Sequence, residues 1–347
     1  MHISSLGIYP HTRNFDVDKD IPDLTGKVYV VTGGTYAVSS AAKRQGYGGL
    51  GLETTFQLLR HNATVYIAGK SKKSALTAIS SLKERLADKY SVQNPTVYFH
   101  HLDLENIQAC VDSARDLGIK TAHIDCIIAN AGISFLPFYL TRDGIENCMA
   151  HLGHFTFVTR LLAKMNDGAR VVVVSSEAHE IANKINYYGI TSPLANPEWL
   201  SIFGVIGPAS RYAQSKFANV LFANKLARDN PRLLVNACHP GLISTGINRS
   251  AGAYTSFFNS VYNWVLSLIG MSIKDGATTQ LFLATATDIE RNKVTGKYFS
   301  PIALETESSK ASRDINAADE LWEWSETKVK ETIMDSQIKD LKIRNMN

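Results

Sequence analysis

Residues Lys27–Gly34, which read KVYVVTGG, are the most informative about the fold of this chain of 347 residues. Consecutive apolar, β-branched residues are typical of a strand that is buried on both faces of a parallel sheet. The two glycines that follow predict a tight turn in which the backbone can approach a ligand closely. A second glycine group, Tyr47–Gly51 (YGGLG), then opens a helical pattern. Strand, glycine turn and helix N-terminus together favour a pyrophosphate site, because the amide groups of a helix N-terminus attract anions.

The rest of the chain repeats this alternation of a buried strand with an amphipathic helix. Further strands are expected at Ala63–Ala68, Thr96–His100, Ile124–Asn130, Ala169–Ser175, Leu233–Cys238 and Lys297–Ser300, beside the first at Lys27–Thr32. Helices are expected at Leu52–His61, Ser74–Lys89, Glu105–Leu117 and Tyr212–Arg228. This order predicts a single doubly wound α/β Rossmann domain with a mainly parallel sheet and helices on both faces.

Composition and charge exclude several other classes of protein. With 45% hydrophobic and 20% charged residues, the chain has the composition of a globular protein rather than a disordered, collagen-like or coiled-coil one. The net charge is +4 and the basic residues are scattered, so we expect no nucleic-acid partner. Four widely spaced cysteines predict neither a metal site nor a disulfide framework. A reduced, cytoplasmic compartment and no secretory signal are therefore expected.

The end of the second strand favours one cofactor over another. Ligands of such sheets bind at the carboxyl ends of the strands, where a carboxylate would hold the ribose of NAD. This strand ends in Gly69 and Lys70, with Lys72 and Lys73 just beyond and no acid. A basic residue at this place suits a 2′-phosphate, so NADP(H) is favoured over NAD(H). The alternative is that these lysines are only solvated residues at the start of a helix.

A tyrosine and a lysine on one helix are the candidate proton-transfer groups. Tyr212 and Lys216 are separated by four residues and so lie on the same helical face. A nearby ammonium lowers the pKa of a phenol, which is ordinarily about 10, so that the phenol can act as a general acid/base near neutral pH. Ser176, which follows the fifth strand, can hold the substrate oxygen. Ser175 is the alternative for this role.

In this order along the chain, the segments resemble the short-chain dehydrogenase/reductase family, in its branch of retinol dehydrogenases and WW-domain oxidoreductases. The resemblance covers roughly residues 24–300, and no WW domain is expected in the residues before it. It rests on the glycine loop with Thr35–Gly46 set aside, on the turns that follow the strands, and on the segments His151–Phe155, Val174–His179, Tyr212–Asn219, His239–Gly241 and Leu321–Ser325.

The resemblance implies an NAD(P)-dependent oxidoreductase that acts on CH–OH donors. It implies that Tyr212 is the general acid/base, that Ser176 orients the substrate oxygen, and that Lys216 also binds the cofactor ribose. It places Asp103 at the adenine and Thr245 at the nicotinamide carboxamide. The cofactor contacts expected in full are Gly33, Gly49, Leu50, Gly51, Lys70, Asp103, Leu104, Asn130, Ala131, Gly132, Tyr212, Lys216, Pro240, Gly241 and Thr245.

Two departures from the family pattern leave a second function open. Ala150 stands where the family usually has an asparagine that anchors a water of the proton relay. Thr35–Gly46 interrupts the phosphate loop, and three interpretations compete: a loop extruded from the site, a loss of cofactor binding, or an artefact of the gene model. The alternative function is therefore a catalytically weak or inactive nucleotide-binding or scaffold protein.

The domain expected at residues 24–305 follows an N-terminal extension, 1–23, and precedes a C-terminal helical tail, 306–347. Within it, residues 35–46 are the atypical insertion and residues 250–273 carry no charge and follow the Pro-Gly turn. The family places its substrate lid there. One helical face of this stretch is apolar, which indicates a lipophilic ketone, aldehyde or alcohol as substrate.

The same uncharged stretch has two other interpretations. It can dock on the surface of the endoplasmic reticulum or a lipid droplet, or it can simply be a helix that covers the core. The sequence is compatible with a homodimer and does not fix the oligomeric state.

Overall fold

The computed structural model describes residues 12–33, 49–133, 138–147, 149, 151–192, 206–243 and 271–344. Its strands are β1 (Val28–Thr32), β2 (Thr64–Gly69), β3 (Val97–His101), β4 (Ile124–Ala129), β5 (Met165–Val174), β6 (Leu234–Cys238), β7 (Tyr298–Ser300) and β8 (Leu304–Thr306). They form one sheet in the order β3-β2-β1-β4-β5-β6-β7-β8.

The sheet is parallel from β3 to β7, and β8 alone is antiparallel to its neighbour. After β1 the chain builds β2 and β3 on one side, and it then returns to place β4 on the other side. This reversal opens a crevice at the carboxyl ends of β1 and β4, where ligands of open α/β sheets bind. The predicted doubly wound, mainly parallel fold is confirmed. The strand β8 was not expected, because three residues are too short to show an alternating pattern.

The helices are α1 (Leu50–Arg60), α2 (Lys72–Tyr90), α3 (Ile107–Lys120), α4 (His151–Leu161), α5 (Tyr187–Thr191), α6 (Ile206–Asp229), α7 (Ile273–Thr285), α8 (Thr287–Arg291) and α9 (Ile315–Arg344). Side-chain caps fix several of the starts; for example, Ser71 accepts from the amide of Ser74 before α2, and Asn106 accepts from the amide of Ala109 before α3. Neither α4 nor α7 was expected, because each is buried almost all round and shows no polar stripe. None of the helices in the described part of the chain is both long and apolar enough to cross a bilayer.

The side chains of each strand alternate between two hydrophobic cores, one on each face of the sheet. Val28 and Val30 point to a core with α3, α4, α6 and α9, whereas Tyr29 and Val31 point to a core with α1, α2 and α7. The sheet is therefore covered on both faces, as its apolar strands require.

Segments on either side of residues 24–305 enter these cores. Val17 and Ile21 are buried on the side of α1 and α7. On the other side, Trp322 of α9 packs edge-on against Phe155, with 4.9 Å between the ring centroids. It also stacks on Phe222, at 6.1 Å. Because Phe155 lies on α4 and Phe222 on α6, α9 holds the two helices that border the crevice.

Candidate active site

The turn after β1 passes unusually close to the turn after β4. Gly33 has a φ of +77°, which favours glycine. A Cβ atom at Gly33 would lie 2.9 Å from the Cα atom of Ala131, so any larger residue would push the two turns apart. The Gly33 amide donates to the carbonyl of Ala68 at the end of β2, at 2.9 Å. Residues from three strand ends thus meet at the crevice.

Thr32 ties these turns together. Its hydroxyl accepts from the amides of Asn130, at 3.0 Å, and Ala131, at 2.9 Å. The side-chain amide of Asn130 donates in return to the Thr32 carbonyl, at 2.8 Å. The Asn-Ala-Gly turn is therefore fixed to β1 by three hydrogen bonds, all of them to Thr32. Both the backbone of this turn and the side chain of Asn130 hold it at the end of β1.

A buried histidine lies beneath the turn. His154 Nε2 is 2.9 Å from the Thr32 hydroxyl, which already accepts two amide protons and so donates its own proton to this nitrogen. The carbonyl of Ile128, at 3.5 Å, is a more distant acceptor. Burial lowers the pKa of His154 to about 3, so the ring is neutral. His154 therefore supports the turn by packing and by one hydrogen bond, a contact that the sequence analysis missed.

The first turn of α4 also reaches the segment that follows β3. A Cβ atom at Gly153 would lie 2.4 Å from the carbonyl oxygen of Leu104. Only glycine therefore lets α4 pack this closely on the main chain beside Asp103. Asp103, which was expected at the adenine, and Leu104, which was expected as a further cofactor contact, are thus held at the same edge of the sheet as Asn130 and Ala131.

At the start of α1, Gly49 occupies the capping position and has no side chain that could bond to the first amides of the helix. Leu50 and Gly51, which were expected at the phosphates, form the first turn of α1. The first-turn amides of a helix are a ready anion site. The interrupted part of the loop, Thr35–Gly46, lies outside the described residues.

At the end of β2, Lys70 lies between two carboxylates. Its Nζ is 3.1 Å from Asp103 Oδ2 and 2.8 Å from Glu105 Oε2, and these contacts raise the pKa of Lys70. Tyr139 donates a hydrogen bond to the other oxygen of Glu105. The structure thus brings the expected residues Lys70 and Asp103 together. It adds Glu105, which the sequence analysis did not single out.

The two serines after β5 have different environments. Ser175 is 1% exposed and donates its hydroxyl proton to the carbonyl of Lys216, at 2.7 Å. Ser176 is half-buried, and its hydroxyl oxygen accepts from the amide of Ala178, at 3.2 Å. Because an accepted hydrogen bond uses only a lone pair, the proton of Ser176 can still be donated to a ligand. The hydroxyl proton of Ser175 is instead used in the bond to the Lys216 carbonyl, which links β5 to α6.

Lys216 is buried where the ends of β4 and β5 meet α6. Its Nζ donates to the carbonyl of Val174, at 3.1 Å, and lies 5.6 Å from the centroid of the Tyr212 ring. A Cβ atom at Gly132 would be 3.3 Å from this Nζ, so the glycine leaves room for the ammonium. The side-chain amide of Asn219 donates to the same Val174 carbonyl, at 3.1 Å. Burial lowers the pKa of Lys216 to about 8.

Replacing Lys216 by methionine is expected to stabilise the fold at pH 7 by about 2 kcal/mol. Burial costs a charged lysine about 1.4 kcal/mol per unit of pKa depression, and the lost hydrogen bond to Val174 offsets part of that gain. The folded pKa lies below the unfolded one, so the cost is fully present below pH 8. It disappears as the pH rises towards the unfolded pKa.

Urea unfolding at pH 7 and pH 9.5 measures this effect. The gain of Lys216→Met over the wild type should shrink at pH 9.5, whereas the exposed Lys72→Met should change little at either pH. A destabilised Lys216→Met at pH 7 would contradict a net cost of burying this charge.

At the end of β6, Pro240 and Gly241 form a tight turn. Gly241 has a φ of +91°, and its amide donates to Nδ1 of His239, at 3.0 Å. A Cβ atom at Gly241 would be 2.5 Å from the sulfur of Met271. Because the Ser175 amide donates to the carbonyl of Cys238, at 2.6 Å, this turn lies directly beside the serines.

The expected site residues that the structure describes follow a strand or begin α1, except Tyr212 and Lys216, which lie within α6 and reach the end of β5 through the bond of Lys216 to Val174. Thr245 and Ala150 lie outside the described residues, as does most of the stretch 250–273. The contacts that the sequence analysis missed come from Thr32, His154, Gly153, Glu105, His179 and Asn219. Of these, Gly153, His154, His179 and Asn219 stand in segments already quoted for the family resemblance, which was the available signal.

Comparison with known proteins identifies the family of the chain. The family model described as short chain dehydrogenase matches residues 45–189. The chain is 32% identical over 332 residues to the short chain dehydrogenase/reductase dpchH of Colletotrichum higginsianum, covering 90% of this chain and 77% of that protein. It is 28% identical over 326 residues to the WW domain-containing oxidoreductase of Drosophila melanogaster, covering 91% of this chain and 71% of that protein.

A solved structure has the same fold across nearly the whole chain. An uncharacterised protein of Mycobacterium paratuberculosis superposes with a TM-score of 0.62 at 26% identity, covering 91% of this chain and 97% of the other. The sheet order and the similarity to dpchH both indicate the same family. The chain is a member of the short-chain dehydrogenase/reductase family of oxidoreductases.

Proposed function

We propose that this protein transfers a hydride between NADP(H) and a lipophilic ketone, aldehyde or alcohol. The observation that carries the proposal is the placement of Lys216. Its buried ammonium lies beside the Tyr212 ring, and Ser176 follows the same strand end whose carbonyl Lys216 contacts. A phenol, an ammonium and a hydroxyl donor at one strand edge are the groups that proton transfer to a carbonyl oxygen requires.

The residues at this edge fit a nicotinamide dinucleotide. Because a Cβ atom at Gly33 would clash with Ala131, this glycine keeps the turn after β1 tight at the crevice, where a pyrophosphate would bind. The uncapped first turn of α1 offers amide donors to the phosphates. Lys216 uses one of its three donors on Val174, so two N–H groups can serve ribose hydroxyls.

In this mechanism the bound cofactor supplies or accepts the hydride, and the chain moves the proton. For reduction, the Tyr212 hydroxyl gives its proton to the carbonyl oxygen as negative charge develops there. The Ser176 hydroxyl donates a hydrogen bond to the same oxygen and holds it in place. The ammonium of Lys216 stabilises the resulting phenolate. In the reverse direction, the phenolate removes the proton from the alcohol.

The preference for NADP(H) rests on Lys70. An ammonium at the end of β2 can bind a 2′-phosphate, but here Asp103 and Glu105 neutralise it. We expect Lys70→Ala to weaken NADPH binding about tenfold and to leave NADH binding unchanged. Glu105→Gln should strengthen NADPH binding a few-fold, since it frees the Lys70 ammonium and removes a negative charge.

Fluorescence titration of the nucleotides measures both effects, with Lys89→Ala at the far end of α2 as the matched control. The result that would refute the preference is an equal change in NADPH and NADH affinity in both variants.

The lipophilic substrate class is supported by the uncharged stretch 250–273, which also supports a peripheral contact with an endoplasmic-reticulum or lipid-droplet surface. The test is NADPH oxidation with aldehydes and ketones of increasing chain length, and Tyr212→Phe serves as the blank. Turnover should rise with chain length. Tight NADPH binding without turnover of any carbonyl would favour the alternative of an inactive nucleotide-binding protein.

A further inference from the structure

We propose that His179 is a positioning residue for Ser176, which it links to the segment that follows β8. The inference rests on the proposed function, because it assigns His179 a task at the serine that would orient the substrate oxygen. His179 lies in the short 3₁₀ turn Glu177–Ile181, and Ser176 caps this turn.

Both ring nitrogens of His179 have partners. Nδ1 donates to the carbonyl of Ser176, at 2.7 Å, and Nε2 accepts from the amide of Ser309, at 3.2 Å. An amide N–H can only donate, so Nε2 must carry a lone pair and Nδ1 must carry the proton. The ring is therefore the neutral Nδ1–H tautomer, and 130 residues separate its second partner from it in the chain.

These contacts hold Ser176 from its carbonyl side. The main-chain amide of His179 donates to the same carbonyl, at 3.0 Å, so this oxygen accepts two hydrogen bonds from one residue. Ser176 is extended, with φ −158° and ψ 155°, and its hydroxyl accepts from Ala178. If the ring were lost, the peptide group after Ser176 could rotate, and the hydroxyl would turn with it. An error of about 1 Å in the placement of a catalytic group can cost about a hundredfold in rate.

The surroundings keep the ring in this state. His179 is fully buried, and its ring packs against Tyr298, with 4.9 Å between the centroids. The Tyr298 hydroxyl is 3.4 Å from Nδ1. Burial lowers the pKa of His179, with Glu177 and Glu180 acting in the opposite direction and His239 adding to the decrease. A protonated ring would also direct a second N–H at the Ser309 amide, so the neutral form is favoured.

Two substitutions separate positioning from packing. His179→Leu keeps an apolar side chain in the core but removes both hydrogen bonds. His179→Asn keeps an amide donor near the place of Nδ1 and can still donate to Ser176. We expect His179→Leu to lower kcat about thirtyfold, with KM and NADPH affinity within about twofold, and His179→Asn to recover much of that loss.

The matched control is His100→Leu. His100 is also fully buried, and its Nε2 bonds to Ser113 through the carbonyl, at 3.0 Å, and the hydroxyl, at 2.8 Å, on the opposite side of the crevice. Its replacement should cost stability similarly but leave kcat unchanged. A comparable fall of kcat in both leucine variants, or no rescue by asparagine, would overturn the inference.

A second measurement does not depend on turnover. Nitrogen-15 NMR of the histidine rings in the unmodified protein should show His179 as the neutral Nδ1–H tautomer at pH 7. An Nε2–H tautomer or a charged ring would overturn the inference even if no carbonyl substrate is found. The Nδ1–H signal together with complete absence of turnover would instead contradict the proposed function and leave the anchoring of Ser176 intact.

Discussion

The substitution Tyr212→Phe is expected to lower kcat by about a thousandfold and to leave NADPH affinity within about twofold. General acid–base catalysis by one positioned group contributes about 10² to 10⁴ in rate, and phenylalanine removes only the hydroxyl that supplies it. The ring, which lies 5.6 Å from the Lys216 ammonium, is retained, so the packing of α6 should be undisturbed. Stopped-flow measurement of NADPH oxidation and fluorescence titration of NADPH give the two quantities separately.

A matched control comes from another tyrosine of the same region. Tyr187 lies on α5, and its ring packs against Trp324 of α9, with 5.3 Å between the centroids. Tyr187→Phe removes a hydroxyl without touching the proposed proton donor, so kcat should stay within about twofold. Appreciable turnover by Tyr212→Phe would show that another group or a water gives the proton. A parallel loss of NADPH affinity would show that the hydroxyl serves binding rather than chemistry.

The sequence could predict which residues meet at the crevice because parallel strands impose that meeting. Once β1, β3 and β4 are assigned, their carboxyl ends share one edge, and Gly33, Asp103 and Asn130 must lie along it. The same rule brings Ser176 to that edge, since β5 pairs with β4. Only the parallel direction of the strands is needed for this prediction, and the alternation of apolar runs with helices indicates that direction. Lys216 instead reaches the edge from α6, where its Nζ donates to the Val174 carbonyl.

The rest depends on side-chain contacts that no periodicity encodes. Glu105 forms an ion pair with Lys70 because the segment after β3 turns towards the end of β2. The two residues are 35 positions apart in the chain, so no local pattern indicates the contact. Similarly, Ser175 and Ser176 are chemically identical neighbours in the sequence. Only the structure shows that the Ser175 proton is donated to α6. His154 was hidden because α4 is buried all round and so carries no amphipathic stripe that would mark it as a helix.

Helix α4 packs closely on the segment after β3. For this reason, Gly153→Ala is expected to destabilise the protein by about 3 kcal/mol. On helix propensity alone, alanine would gain up to about 1 kcal/mol over glycine. Here the new Cβ atom would lie 2.4 Å from the Leu104 carbonyl oxygen and 2.9 Å from its Cα atom. Main-chain atoms of this half-buried segment cannot move aside as cheaply as the end of a flexible side chain, so overpacking outweighs propensity.

Gly118→Ala is the matched control, because Gly118 also lies in a helix, α3, and the same methyl group is added there. Its Cβ atom would meet only the flexible side chain of Lys164, at 3.4 Å or more, so this variant should be neutral or more stable by up to about 1 kcal/mol. Urea unfolding of both variants should therefore give changes of opposite sign, or one large loss beside no change. Because the displaced Leu104 borders the proposed adenine site, Gly153→Ala should also weaken NADPH binding. A Gly153→Ala protein as stable as the wild type would mean that α4 does not approach Leu104, and the support of the adenine end by α4 would then have to be abandoned.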